Sequence, residues 1–437
     1  MSNKTLLALL TLVAAMTFAV VGCGGDDDEG EAAPEEPQPE EISFDLRVGN
    51  LVPFTGDLSP FGEPIDEAAR IAAEVANEAA EEAAIDASIQ VVASEDTQTD
   101  ATAAVEGATK LVQTDEVAVV MGALASTNTI PVAESVTVPN EVLQISPAST
   151  SPAITDLADD GFVWRTPPSD AKQGEVMAQA IAEEIGGDAT VNVGTRNDAY
   201  GTALAGVFET SWQEGGGTIG ESVQWNPDAA TFDTEAQQLA GGNPDAWVVI
   251  DFPETFAKMG PALVRAGGWD PTKTFATDGL RDSSLPNDVG ERATEGMRGT
   301  APVPPEGGEA AAAFETVFEE RAKAGVERQT FDAHAFDAVI LAFLAATAAN
   351  SSDPADLKEQ MQAVSGPPGD PFTFEQLADA LTALANGEDI DYQGASGPID
   401  WDENGDPTAA TYELWQFENG EITSLRTFEV GGEAESE

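Results

Sequence analysis

The chain has 437 residues, and 79 Asp and Glu against 18 Lys and Arg give it a net charge of −61. So acidic a surface lacks the cations that displace counterions from phosphates, which excludes nucleic acid as a partner, and it opposes direct adhesion to anionic lipid heads. The length exceeds the ~250–300 residues at which single cores tend to split, so two lobes are expected.

In chain order, the first feature is Lys4 followed by an uncharged run from Thr5 to Gly22, then Cys23, the single cysteine of the chain. A basic start, a short apolar core and a small residue at a cut point make a secretory signal. The run is shorter than the ~20 residues that cross a bilayer. A cysteine at the cut point resembles the lipobox of bacterial lipoproteins, which implies export, cleavage before Cys23 and a lipid anchor on that residue at the outer face of the membrane. Residues 1–22 are therefore read as the signal peptide. Residues 23–42, rich in Gly, Pro, Asp and Glu, form an acidic tether too poor in apolar side chains to order itself.

From Phe44 the pattern becomes globular. Strands are expected at 44–52, 88–93, 117–121, 142–145, 190–194, 246–250 and 274–276. Helices are expected at 65–84, 99–112, 172–185, 202–214 and 254–266, with a short one after Asn128. Short, fully apolar strands alternating with helices predict an α/β fold with parallel sheets covered on both faces, and the number of units predicts two sheets. His334, the only histidine, lies in an apolar stretch from Phe331 to Leu341 that reads as a buried helix, which removes it from a Ser-His-Asp triad. With Cys23 committed to lipid, thiol catalysis is excluded and His/Cys zinc sites have no ligands. No phosphate-binding or nucleophile-elbow motif is present, and no cofactor is expected.

Ligands of open parallel sheets bind at the carboxyl ends of the strands. The loops there read Pro53-Phe54-Thr55-Gly56, Gly122 to Thr129, Ser146 to Pro152, Asn197 to Gly201, Asp251 to Glu254 and Thr277-Asp278-Gly279. The early loops carry hydroxyls and backbone amides at helix starts, which suit a carboxylate. The later loops carry carboxylates and a tyrosine, which suit an ammonium. Ordinary helix capping explains any one loop; all of them together at strand ends favour a site for a zwitterion.

These motifs, with Phe61-Gly62, Arg165-Thr166, Ser169-Asp170, Phe336-Asp337-Ala338 and Gly397 to Asp406, resemble in order and spacing the branched-chain amino-acid-binding proteins of ABC transporters, over 44–426. The resemblance implies two Rossmann-like lobes joined by three crossovers, the type I periplasmic binding fold, with a ligand cleft between them. It places lobe 1 at 43–168 and 300–400, lobe 2 at 169–299 and 401–430, and a loose tail at 431–437. It implies that Ser126 and Thr150 hold an α-carboxylate, the Ala148 carbonyl and Asp278 an α-ammonium, and that Tyr200 closes from the second lobe. Phe61, Leu124 and Phe331 would meet the ligand side chain, and Asp251 would add a carboxylate for a further positive or donating group. The expected partner is an ABC permease, the expected state a monomer, and the expected activity ligand delivery without catalysis. A ligand sensor of the same fold, binding an amide, urea or small acid, and an extracellular hydrolase are the competing readings.

Asp400-x-Asp402-x-Asn404-Gly405-Asp406 matches half of an EF-hand loop, but Thr411 stands where the bidentate Glu belongs. The expectation is a hairpin turn at Asn404-Gly405 between strands at 397–399 and 412–417.

Overall fold

The computed structural model describes residues 42–431. The expected signal peptide, Cys23, nearly all of the expected tether and the end of the tail lie outside the described residues.

The first sheet contains β1 (Ser43–Val52), β2 (Asp86–Asp96), β3 (Val119–Gly122), β4 (Leu143–Ser146) and β5 (Val163–Arg165) in the order β2-β1-β3-β4-β5, all parallel. The second is built on β6 (Thr190–Arg196), β7 (Thr218–Trp225), β8 (Ala246–Ile250), β9 (Thr274–Ala276) and β10 (Arg298–Val303). The chain then forms a small sheet from β11 (Asp370–Phe372), β12 (Ile390–Gly394) and β13 (Gly397–Pro398). It returns through β14 (Ala410–Glu418) and β15 (Glu421–Val430), which extend the second sheet to the order β15-β14-β10-β9-β8-β6-β7. β14 pairs antiparallel with both β10 and β15; the other pairings of that sheet are parallel.

Every residue of β3 and β8 is buried, as strands covered on both faces require. The helices connecting them are α1 (Gly62–Ala83), α2 (Ala101–Gln113), α3 (Ser126–Val132), α4 (Asp170–Ile185), α5 (Gly201–Glu214), α6 (Asp233–Leu239) and α7 (Pro253–Ala266). Asp100 starts α2 by accepting the Ala103 amide at 2.8 Å, and Ser169 starts α4 by accepting that of Ala171 at 3.3 Å. The helix Asp332–Ala349 is long and apolar enough to span a bilayer, yet 89% of it is buried inside the protein against α1, so it is a core helix. Its Ile340, Leu341, Phe343 and Leu344 are fully buried, each stabilising the fold by about 1.5–3 kcal/mol.

The chain passes between the two lobes at 166–169, 304–308 and 399–409. Two expectations change. β10 hydrogen-bonds into the second sheet as far as Val303, so that crossing falls after it rather than at 299/300. The strands at 397–399 and 412–417 do not pair with each other, because β13 joins β12 while β14 joins β10 and β15. The Asn404-Gly405 turn closes on one Trp401–Pro407 bridge. Its carboxylates serve protein donors: Asp402 Oδ1 accepts the Asn404 and Asp406 amides, and Asp406 takes Arg165 in a bidentate pair at 2.6 and 2.8 Å. Arg165 is wholly buried there, tying the first crossing to the third.

Candidate functional site

Between the lobes lies a small cavity of about 20 Å³, bounded by Leu58, Phe61, Leu124, Ser126 and Ala148 on one side and Tyr200, Phe252, Asp278 and Gly279 on the other, with Phe331 from the start of the core helix. Strand ends position these groups: Leu124 and Ser126 follow β3, Ala148 follows β4, Tyr200 follows β6, Phe252 follows β8, and Asp278 follows β9. At Gly279 a Cβ would meet the Asp251 carbonyl at 2.6 Å, so only glycine lets the backbone close in there.

Asp278 is 3% exposed, and its Oδ1 accepts the Tyr200 hydroxyl at 3.0 Å and the Gln173 amide at 2.8 Å. Tyr200 also shares a 2.7 Å hydrogen bond with Thr277. Burial pushes Asp278 up to about 6, with the Gln173 and Tyr200 hydrogen bonds pulling the other way. Asp170, the first residue of α4, is fully buried, and burial followed by the charge of Asp278 raises it well above the usual carboxylate range. The Thr150 hydroxyl lies close enough to oppose that shift, but neither it nor either Asp170 oxygen has a hydrogen bond of good geometry within the protein. Gln173 Oε1 is likewise buried without a partner. Buried polar atoms without partners are rare in folded proteins. Two neighbouring buried carboxylates, one of them short of donors, have the chemistry to accept hydrogen bonds from a cationic donor.

The aromatic wall is ordered by stacking. Tyr200 and Phe252 lie 5.1 Å apart with rings 14° from parallel, and the Arg196 guanidinium sits 3.7 Å over the other part of the stack, at the Phe252 ring. Phe331 holds φ at +72°, a costly conformation for an aromatic residue, and packs edge-on against His334 at 5.4 Å. His334 is buried in the helix as expected, and burial pushes it down to about 3, so its ring is neutral. A larger hollow of about 170 Å³ beside the crossings is lined by small, apolar and proline residues together with His334, has Glu429 as its one carboxylate, and offers a ligand no comparable charge.

Seven of the nine ligand residues expected from the sequence meet at the cavity: Phe61, Leu124, Ser126, Ala148, Tyr200, Asp278 and Phe331. Thr150 is buried beside Asp170 rather than at the cavity wall. Asp251 is a correction: its carboxylate turns to Arg196 at 3.7 Å, and the next residue, Phe252, lines the cavity instead. Successive residues at a strand end point to opposite sides, and Asp251 takes the side of the guanidinium. Asp170, Gln173, Leu58 and Phe252 were not anticipated as site residues. Asp170 stands directly after a capping serine, and the signal that it turns inward is its three-dimensional burial.

The sequence matches the periplasmic binding protein family over residues 45–420. It is 26% identical over 403 residues to the chemotactic signal transduction system substrate-binding protein BasB of Halobacterium salinarum, covering 89% of this chain and 92% of that one. It is 26% identical over 389 residues to the Leu/Ile/Val-binding protein homolog 1 of Brucella abortus, covering 86% and 91%. The fold is similar to that of the branched-chain amino acid transporter substrate-binding protein LivJ of Streptococcus pneumoniae, crystallised with isoleucine, with a TM-score of 0.71, 20% identity, and coverage of 89% and 100%. The chain belongs to the periplasmic binding protein family and has its two-lobed type I fold.

Proposed function

We propose that this protein captures a small amino acid with an apolar side chain between its lobes and delivers it to an ABC importer from the outer face of the membrane, anchored by lipid on Cys23. The observation that carries this reading is the buried carboxylate Asp278, with buried Asp170 as its electrostatic neighbour, at a cavity otherwise walled mainly by Leu58, Phe61, Leu124, Phe252 and Phe331. An ammonium neutralises the carboxylates, the Ser126 side contacts the α-carboxylate, and the aromatic and leucine side chains surround an aliphatic group. The names of the Brucella relative and the isoleucine-bound LivJ support the same ligand class. Calorimetry and thermal shift with leucine, isoleucine, valine, alanine, phenylalanine, amides, urea and benzoate test it. Tight binding confined to amino acids is expected; binding of benzoate or urea alone would sink the reading.

A second reading is favoured by the BasB relative, whose name places it in chemotactic signalling. In that case the closed form reports to a signalling partner. Loss of labelled amino-acid uptake on gene deletion favours delivery; loss of attraction to the ligand with uptake intact favours sensing. Cys23→Ser should release the protein from membranes.

A further inference from the structure

Arg196 ends β6 in the second lobe and is only 3% exposed. Its Nε donates to Asp198, whose Oδ1 in turn accepts the Tyr200 and Gly201 amides at 3.1 and 2.9 Å. Its NH2 donates at 3.1 Å to Asp57, which lies in the loop after β1 in the first lobe and is 24% exposed. Its flat face covers Phe252, which stacks on Tyr200, and both rings line the cavity. The Glu254 amide also reaches the Asp57 carbonyl, at 3.4 Å. The opposite edge of the cleft is closed by different residues: Gln329 donates to Asp282 at 2.9 Å, and Arg281 and Thr330 exchange hydrogen bonds at 3.1 and 2.9 Å.

We propose that Asp57 and Arg196 form a closure latch, an ion pair made only when the lobes meet, which slows ligand escape and holds the Phe252–Tyr200 stack against the cavity. The inference rests on the ligand-capture reading above. Within the second lobe Arg196 keeps Asp198 and Asp251 whatever the lobe angle, so its fold does not need Asp57. Among the described residues, Asp57 is the only side chain of the first lobe that pairs with it. Being bound to a guanidinium that is stacked and desolvated makes this pair stronger than an exposed one. Because neither residue touches the ligand cavity, the pair acts on the equilibrium between open and closed forms and on the rate of opening. Asp57 and Arg196 are positioning residues.

The test compares wild type, Asp57→Asn and Asp57→Glu, using L-isoleucine as the probe and stopped-flow tryptophan fluorescence for the rates. Asp57→Asn should raise the off-rate about fivefold to tenfold, leave the on-rate within about twofold, and leave the urea midpoint of the ligand-free protein unchanged. Asp57→Glu should recover most of the loss, because it restores the charge. X-ray scattering of the ligand-free proteins should show a larger radius of gyration for Asp57→Asn than for wild type. An unchanged off-rate, or an equal loss in Asp57→Glu, overturns the latch. If L-isoleucine does not bind wild type, the ligand reading fails on its own account and scattering decides the latch: expansion in Asp57→Asn upholds it, and identical profiles overturn it.

Discussion

Tyr200 donates its hydroxyl to Asp278 at 3.0 Å, and both side chains line the same cavity between the lobes. The bond fixes the ring over the cavity and lowers the cost of an ionised carboxylate in a buried place. Tyr200→Phe removes one donor from Asp278 and one acceptor from Thr277 while keeping the stack on Phe252. It should weaken amino-acid binding by about 1 kcal/mol, read by calorimetry, and raise the pH at which binding becomes strong.

On the proposed reading, Asp278→Asn removes a charge-assisted bond to an ammonium and Asp170→Asn removes a neighbouring acceptor for it. Each should weaken binding by about 1–3 kcal/mol, with the ligand-free fold intact by circular dichroism. Wild-type affinity in both variants would show that the cation lies elsewhere.

Binding should depend on pH with a definite sign. Asp278 carries its proton below about 6, and an ammonium binds the ionised form, so affinity should rise as pH increases from 5 to 7. The ligand-free protein moves the other way. A carboxylate whose folded pKa exceeds its usual value stabilises the fold fully below about 3.9, and loses that contribution as pH rises through about 6. Calorimetry at pH 5.5 in two buffers of different ionisation enthalpy should show proton release on binding, absent in Asp278→Asn.

Three carboxylates, Asp57, Asp198 and Asp251, share Arg196, and Asp251 stands farthest, at 3.7 Å with no hydrogen bond from it. Burial pushes Asp251 up to about 8, against the pull of Arg196. Asp251→Asn should gain stability relative to wild type as pH rises from 5 to 8 and level off above, measured by urea unfolding.

Asp337, on the core helix, accepts from Tyr392 at 2.8 Å, the Ala395 and Ser396 amides at 2.9 and 2.7 Å, and the Ser396 hydroxyl at 2.6 Å. It ties the β12–β13 turn to the core. Asp337→Ala leaves four buried donors without an acceptor and should cost about 3 kcal/mol or more, seen as a lower urea midpoint. Little change would mean the turn is held by packing alone.

The alternation of apolar strands and helices was legible because its signals are local: β8 is apolar throughout, and Asp100 and Ser169 stand at helix starts. β7 and α6 were not anticipated. β7 is an edge strand whose residues are mostly exposed, so it carries no apolar run to mark it. The strand-end loops were legible for the same reason as the strands, and they brought Ser126, Ala148, Tyr200 and Asp278 to one place.

The sequence by itself determined the order of elements, the family resemblance, and a site built without cysteine or histidine ligands, since each follows from composition or short-range pattern. The tertiary structure alone decided which carboxylate is buried beside Asp278. Asp170 and Asp251 look alike in sequence, each at the start of a helix. One is buried beside Asp278 from another part of the chain, and the other is drawn aside by Arg196. Charge pairing and desolvation act through space between residues far apart in sequence, so that choice is made only when the lobes are assembled.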